Sequence, residues 1–327
     1  MTPNHQLISQ HMITDIFKTN SAKSLWTMLV YFVLCFYFFG VIMMVHFVGY
    51  NRFDKIHEHI QAAMKIFNHR MTLLCYIPAG VLLFSSIALY WFSPSNFPRW
   101  TIISIVILTA ISVVTTLFFI APIHANLPAT GFQESIQNKL VSTSLYFQII
   151  PSFATVFLAL TLLNKYLSDT KSIAKWLFIL AFTLIFYTAG TDYVETLIYY
   201  PIWSVIGEKD WLTFRHASGL YFFRVYLIPS YFPLILLIFL NWWRPKGIPK
   251  LFVPIALFCV LFILGVSATY FIPKLQVKLN AAFSQQLIDD LNKNQFPLRG
   301  IPELIYFILT AFMFVKIGQR KISEDNA

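Results

Sequence analysis

Residues 176–200 read WLFILAFTLIFYTAGTDYVETLIYY, an apolar run with no Lys or Arg and with two acids, Asp192 and Glu195. The hydrocarbon core of a bilayer is about 30 Å thick and takes roughly 20 apolar helical residues to cross. This run is long enough to span it. Seven others of similar character lie near 24–48, 71–92, 100–122, 141–163, 224–243, 251–273 and 300–318. The expected fold is therefore all-α: a polytopic membrane protein with eight transmembrane helices. The whole chain agrees, with 57% hydrophobic against 12% charged residues over 327 positions. That balance excludes an ordinary soluble domain, and 34 Phe against 11 Gly excludes a flexible low-complexity chain.

The formal charge of +10 does not point to nucleic acid, because the 24 Lys and Arg are scattered in short segments between apolar runs. Orientation at lipid head groups explains them better. Cys35, Cys75 and Cys259 all fall inside apolar runs at spacings that suit neither a metal site nor a redox pair. No Gly-rich nucleotide loop, no nucleophile elbow and no pair of glycines four apart appears. Met1-Thr2-Pro3 offers no myristoylation signal. The first apolar run lacks a small-residue cleavage pattern behind it and reads as a retained span. No cofactor is named by the sequence.

Self-comparison finds an internal repeat. Phe36-Tyr37 and Gly40 match Phe186-Tyr187 and Gly190 at an offset of 150, and Tyr76 and Pro78 match Tyr231 and Pro233 at 155. Phe119-Ile120 match Phe271-Ile272, while Phe132, Leu140 and Pro151 match Phe283, Leu291 and Pro302 at 151. The organisation expected is an N-terminal segment 1–23, a four-helix membrane repeat 24–163, a linker 164–175, a second repeat 176–318 and a polar tail 319–327. Four spans per repeat give both copies the same orientation and a pseudo-two-fold axis along the membrane normal.

Basic residues are densest in the short connections 93–99, 164–175 and 244–250, whereas the long odd-numbered loops carry seven acids. The positive-inside rule then places both termini in the cytoplasm, in a bacterial inner membrane setting, with the long loops outside. Helical stripes at Ile56, Ile60, Ala63 and Phe67, and at Leu279, Phe283, Leu287 and Leu291, suggest amphipathic segments lying over the outer ends of the spans.

Charges within a membrane are costly and so mark function. Asp192 and Glu195 share one helix face at i and i+3, and Glu303 lies at similar depth in the last span. Their counterparts in the first repeat are Ile42, Val45 and Ser152, so the acids belong to the second repeat alone. These three are the candidate proton acceptors or polar anchors. His46, His124, Arg215, His216, Arg224 and Arg299 arrive near the same level as candidate ligand-binding partners. His57 and His59 stand two apart and point away from each other on a helix, so no metal site is assigned.

One further signal comes from the order of segments. A first span is followed by an amphipathic stretch, His59-Ile60-Gln61-Ala62-Ala63-Met64 to Asn68-His69-Arg70, then by a Pro-containing second span and a loop beginning Pro122-Ile123-His124-Ala125-Asn126-Leu127. This resembles the anthrone oxygenase-like family of four-helix membrane domains, here in two tandem copies. The family's Trp, Asn and Arg at the start of the fourth span are replaced by Ser142-Thr143-Ser144-Leu145-Tyr146-Phe147 in the first copy, and only Asn294 and Arg299 answer them in the second. The resemblance implies a four-helix unit that supports cofactor-free oxygenation of polycyclic phenols in some members. The function expected is binding or modification of a lipophilic small molecule in an outward-facing cavity. A proton- or cation-coupled transporter and an assembly subunit are the alternatives.

Overall fold

The computed structural model describes the backbone of residues 3–130 and 133–325, and the side chains of residues 22–129 and 133–324. Phe132, one of the repeat matches, and the dipeptide Met1-Thr2 lie outside the described residues. Among the described residues, eight helices are long and apolar enough to cross a membrane: Ala22–Phe53, Ile60–Phe92, Arg99–Ala129, Glu134–Tyr166, Ser172–Trp203, Gly219–Trp242, Phe252–Ala281 and Gln285–Glu324. Among the described residues there is no strand. The protein is all-α and polytopic.

The first and fifth spans are the most buried and pack against each other along their length; the second and fourth pack on the first with the third closing that group, the sixth and eighth pack on the fifth with the seventh closing the other, and the eighth also touches the first. Their crossing is reciprocal. A Cβ on Gly40 would fall on the carbonyl oxygen of Tyr187, and a Cβ on Gly190 on that of Tyr37. Both tyrosines then turn outward to equivalent places, Tyr37 donating to the Leu74 carbonyl at 2.8 Å and Tyr187 to that of Val225 at 2.9 Å. Polar contacts tie the groups further: Asp210 accepts from the backbone N–H groups of His57 and Glu58, each at 2.7 Å, and Arg70 donates to the Leu197 carbonyl at 2.8 Å.

Each span contains a π-helical stretch, beginning at Val45, Thr72, Thr115, Leu145, Glu195, Phe223, Ser267 and Phe296. The cause is legible in six of them, where a proline stands second after the stretch, four times as Ile77-Pro78, Ile150-Pro151, Ile228-Pro229 and Ile301-Pro302 and twice as Ala121-Pro122 and Tyr200-Pro201. Proline has no N–H and its ring clashes with the carbonyl four residues back; one extra residue in the preceding turn relieves both. This alignment corrects one expected match: Pro78 occupies the same place after its π stretch as Pro229, not Pro233.

Exposed Trp26, Trp91, Trp100, Trp176, Trp242 and Trp243 gather at the end of the bundle where residues 22 and 324 lie, here the proximal end. Exposed Phe118, Phe119, Tyr146, Phe147, Phe223 and Phe296 mark the level of the π stretches. From Trp100 to Phe119, or from Phe223 to Trp242, is close to 28 Å of helix at about 1.5 Å per residue. Aromatic residues favour membrane interfaces. A hydrocarbon slab thus fits between the tryptophan belt and the π level.

Beyond that level, the expected interfacial helices differ from expectation. Ile56 lies in a loop, while Ile60, Ala63 and Phe67 belong to a helix that continues without a break into the second span. Leu279 ends the seventh span, Phe283 sits in the turn after it, and Leu287 and Leu291 open the eighth. These segments are extensions of the spans, because helix propensity carries past the edge of the apolar run. The sixth span alone is severed from its extension. The helix Glu208–His216 ends at Ala217, and the span restarts at Gly219, whose φ of +30° suits a residue without a Cβ.

Candidate functional site

That break opens a cavity of about 500 Å³ within the second group of four helices. Its polar end is built at and just below the π level, since the widened turns rotate side chains inward: Glu195, Tyr226, Gln276 and Arg299 all come from π stretches. π turns inside helices recur at functional sites for this reason. Its apolar end runs deeper, along Pro233, Val260, Ile263, Leu264 and Tyr306. Exposed Tyr231 and Ile272 mark a lateral mouth between the sixth and seventh spans, and exposed His216, Gly219 and Asn280 a mouth at the distal end.

Two polar clusters face this space. In the first, Arg52 Nη1 donates to Glu195 Oε2 at 2.6 Å and its Nε to Ser218 Oγ at 3.2 Å. Both charges are buried, and the guanidinium is walled by Tyr199, Phe214 and Phe222 at 5.1–5.7 Å from the ring centres. In the second, Tyr226 donates to Asp192 Oδ1 at 2.5 Å and accepts from Arg299 Nη2 at 3.3 Å, and Glu303 lines the cavity beside Asp192. The Nε of Arg299 is buried with no partner.

Arg215 borders the distal mouth. Its Nη2 donates to Gln276 Oε1 at 2.8 Å, it also bonds Asn280, and it lies over the Trp203 ring at 4.3 Å. Burial and the nearby Arg52 guanidinium push it down to about 10, so it stays charged at neutral pH.

Six of the nine expected residues line this cavity: Asp192, Glu195, Glu303, Arg215, His216 and Arg299. Asp192 and Glu195 share a helix face but have different partners. Three do not reach it. Arg224 is exposed on the outside of the sixth span. His46 is buried beside Phe47 and Tyr50 in the first group of helices. His124, also there, sits between Tyr50 and Tyr76, its ring nitrogens 3.3 and 3.0 Å from their hydroxyls. Similar depth along a helix does not imply the same direction around it. Arg52 and Tyr226 were missed. Arg52 lies beyond the expected end of the first span at 48, but the helix continues to Phe53 and carries it inward; a lone Arg among Gly49-Tyr50 and Phe53 was the available signal.

The equivalent region of the first group is filled. Gln148 stands in its π stretch where Arg299 stands, and Ser152 where Glu303 does. Gln148 donates to Thr116 at 2.8 Å and accepts from Ser144 at 2.7 Å, and Ser112 pairs with Ser152 at 2.8 Å. The void left between Tyr76, His124 and Gln148 is about 10 Å³, room for one water at most. Among the described residues, no three His, Cys, Asp or Glu side chains cluster as a metal site would require. Compared with models of known families, with curated proteins and with solved structures, the chain finds no match, so the cavity's own chemistry carries the functional reading.

Proposed function

We propose that this integral membrane protein binds a lipophilic small molecule in the cavity of its second four-helix unit and positions it against the Asp192–Glu303 carboxyl pair for proton exchange or chemical modification. The single observation that carries the reading is one space with an apolar interior, a charged end and a lateral mouth between the sixth and seventh spans. Its volume of about 500 Å³ falls within the range of small-molecule sites. Tandem duplication belongs to the same reading. It is supported by the reciprocal Gly40 and Gly190 contacts and by π stretches that recur about 150 residues apart. One copy is packed solid and the other hollow, as expected where one supports and the other works. The resemblance to the anthrone oxygenase-like family adds flat polycyclic phenols to the lipophiles proposed. Basic connections at the tryptophan-belted end support a bacterial inner-membrane setting with cytoplasmic termini.

The test is native mass spectrometry of protein extracted in mild detergent. Wild type is expected to retain a lipophilic mass. Leu264→Trp, which places an indole in the apolar end, is expected to insert normally and lose that mass. Retention of the same mass by the filled variant argues against the cavity as its site. The carboxyl pair also favours proton-coupled transport as a second reading; proton-dependent flux in proteoliposomes that disappears in Asp192→Asn is the result that selects it.

A further inference from the structure

Charge and depth together say more about the ligand. Three arginines line the cavity, and only Arg52 has a carboxylate in ion-pair contact. Arg215 is held by the neutral amides of Gln276 and Asn280. Arg299 bonds the Tyr226 hydroxyl and the Gln295 amide, each at 3.3 Å, and keeps its buried Nε unpartnered. Leaving a guanidinium donor buried and unpaired is costly, and anions with several oxygens are what guanidinium groups satisfy best. Gln148 at the equivalent place in the first group has its amide hydrogen bonds made within the protein. Of these two equivalent positions, only the one on the hollow side keeps a buried donor unpartnered.

Depth supplies the second half of the argument. Arg299 lies at the π level, which coincides with the edge of the hydrocarbon slab, and Arg215 and His216 lie distal to it. Val260, Ile263, Leu264 and Pro233 lie below, within the slab, and the lateral mouth at Tyr231 and Ile272 opens along the same direction. A lipid leaflet is ordered the same way, with charge at the interface and chain beneath.

We infer that the ligand is an amphiphile with an anionic phosphate or carboxylate head, seated between Arg215, His216 and Arg299, with its apolar chain descending between the sixth and seventh spans. This rests on the cavity reading above and names the substrate class for it. The Asp192–Glu303 pair, one helical turn below Arg299, then faces the junction of head and chain.

The experiment measures binding to the whole purified protein in a neutral detergent at fixed ionic strength. The four probes are dodecyl phosphate, dodecanol, dodecyltrimethylammonium and inorganic phosphate. Dodecyl phosphate is expected to saturate one site at least about tenfold more tightly than either other amphiphile, with inorganic phosphate alone not saturating it. Arg215→Gln and Arg299→Gln are each expected to weaken dodecyl phosphate by about tenfold while leaving dodecanol unchanged, which also shows that the variants are folded. Equal binding of dodecanol or dodecyltrimethylammonium overturns the anionic head but leaves the cavity reading standing. Inorganic phosphate binding as tightly as dodecyl phosphate overturns the amphiphile in favour of a soluble anion. If none of the four saturates a site, the cavity reading falls as well.

Discussion

Replacing Gly190 by alanine is expected to destabilise the bundle strongly, and Gly40→Ala to do the same. At each position the added methyl would occupy the place of a backbone carbonyl oxygen on the facing helix, Tyr37 in one case and Tyr187 in the other. A flexible side chain can swing away, whereas a carbonyl in the middle of a helix moves only if the helix moves. The first and fifth spans would have to separate along the contact that holds the two groups of helices together. Overpacking of a core commonly costs about 1–3 kcal/mol, and this crossing, rigid on both sides, is placed at or above about 3 kcal/mol. Thermal unfolding in detergent with a size-exclusion readout measures it. The double variant is expected to lose less than twice the single loss, because one methyl already opens the gap the other needs. A melting temperature in Gly190→Ala close to wild type would refute the rigid crossing.

The second large effect concerns the buried pair of Arg52 and Glu195. Arg52→Met leaves a carboxylate without its counter-charge, and Glu195→Gln leaves a guanidinium in an aromatic enclosure; breaking a buried pair from one side costs roughly 3–5 kcal/mol. Replacing both, as Arg52→Met with Glu195→Leu, is expected to recover most of that loss, since no charge then remains uncompensated. Arg52→Lys is not a conservative change, because an ammonium cannot serve Glu195 and Ser218 with a planar fork or stack flat on Tyr199. A double variant as unstable as the sum of its parts would mean that the two charges act independently. The pair joins the first span to the fifth, so its rupture is also expected to loosen the wall of the cavity and raise ligand exchange rates.

The eight spans were legible because lipid imposes a length and a composition that few soluble segments share. Much of the site was legible for the related reason that acids inside an apolar run need an explanation, and Asp192, Glu195 and Glu303 do line one space. The rest depended on rotation about helix axes, which spacing alone does not carry once a π turn intervenes. His46 and His124 lie near the same level as Gln276 and Arg299, yet they face a filled interior. Gly40 and Gly190 were matched as repeat positions, but their role at the crossing was not visible, because the close-packing pattern sought was two glycines on one helix rather than one on each. The four Ile-Pro dipeptides were in plain view, but a proline within a span does not by itself reveal the added residue that each one accompanies here.

Those added residues change how the chain can vary. An α-helix advances about 100° per residue, so one residue inserted into a turn offsets everything beyond it by roughly that angle. Each span except the severed sixth therefore works as two shafts coupled at the membrane edge, and their apolar stripes need not be in phase. The part in lipid can keep its packing face while the part beyond it adopts another. Deleting a single residue from the Phe296–Gly300 stretch would turn the outer shaft of the last span against the rest of the bundle while leaving residues 301–324 in register. In such a protein a one-residue deletion is a re-gearing, and its consequence depends on which side of the clutch the chemistry sits.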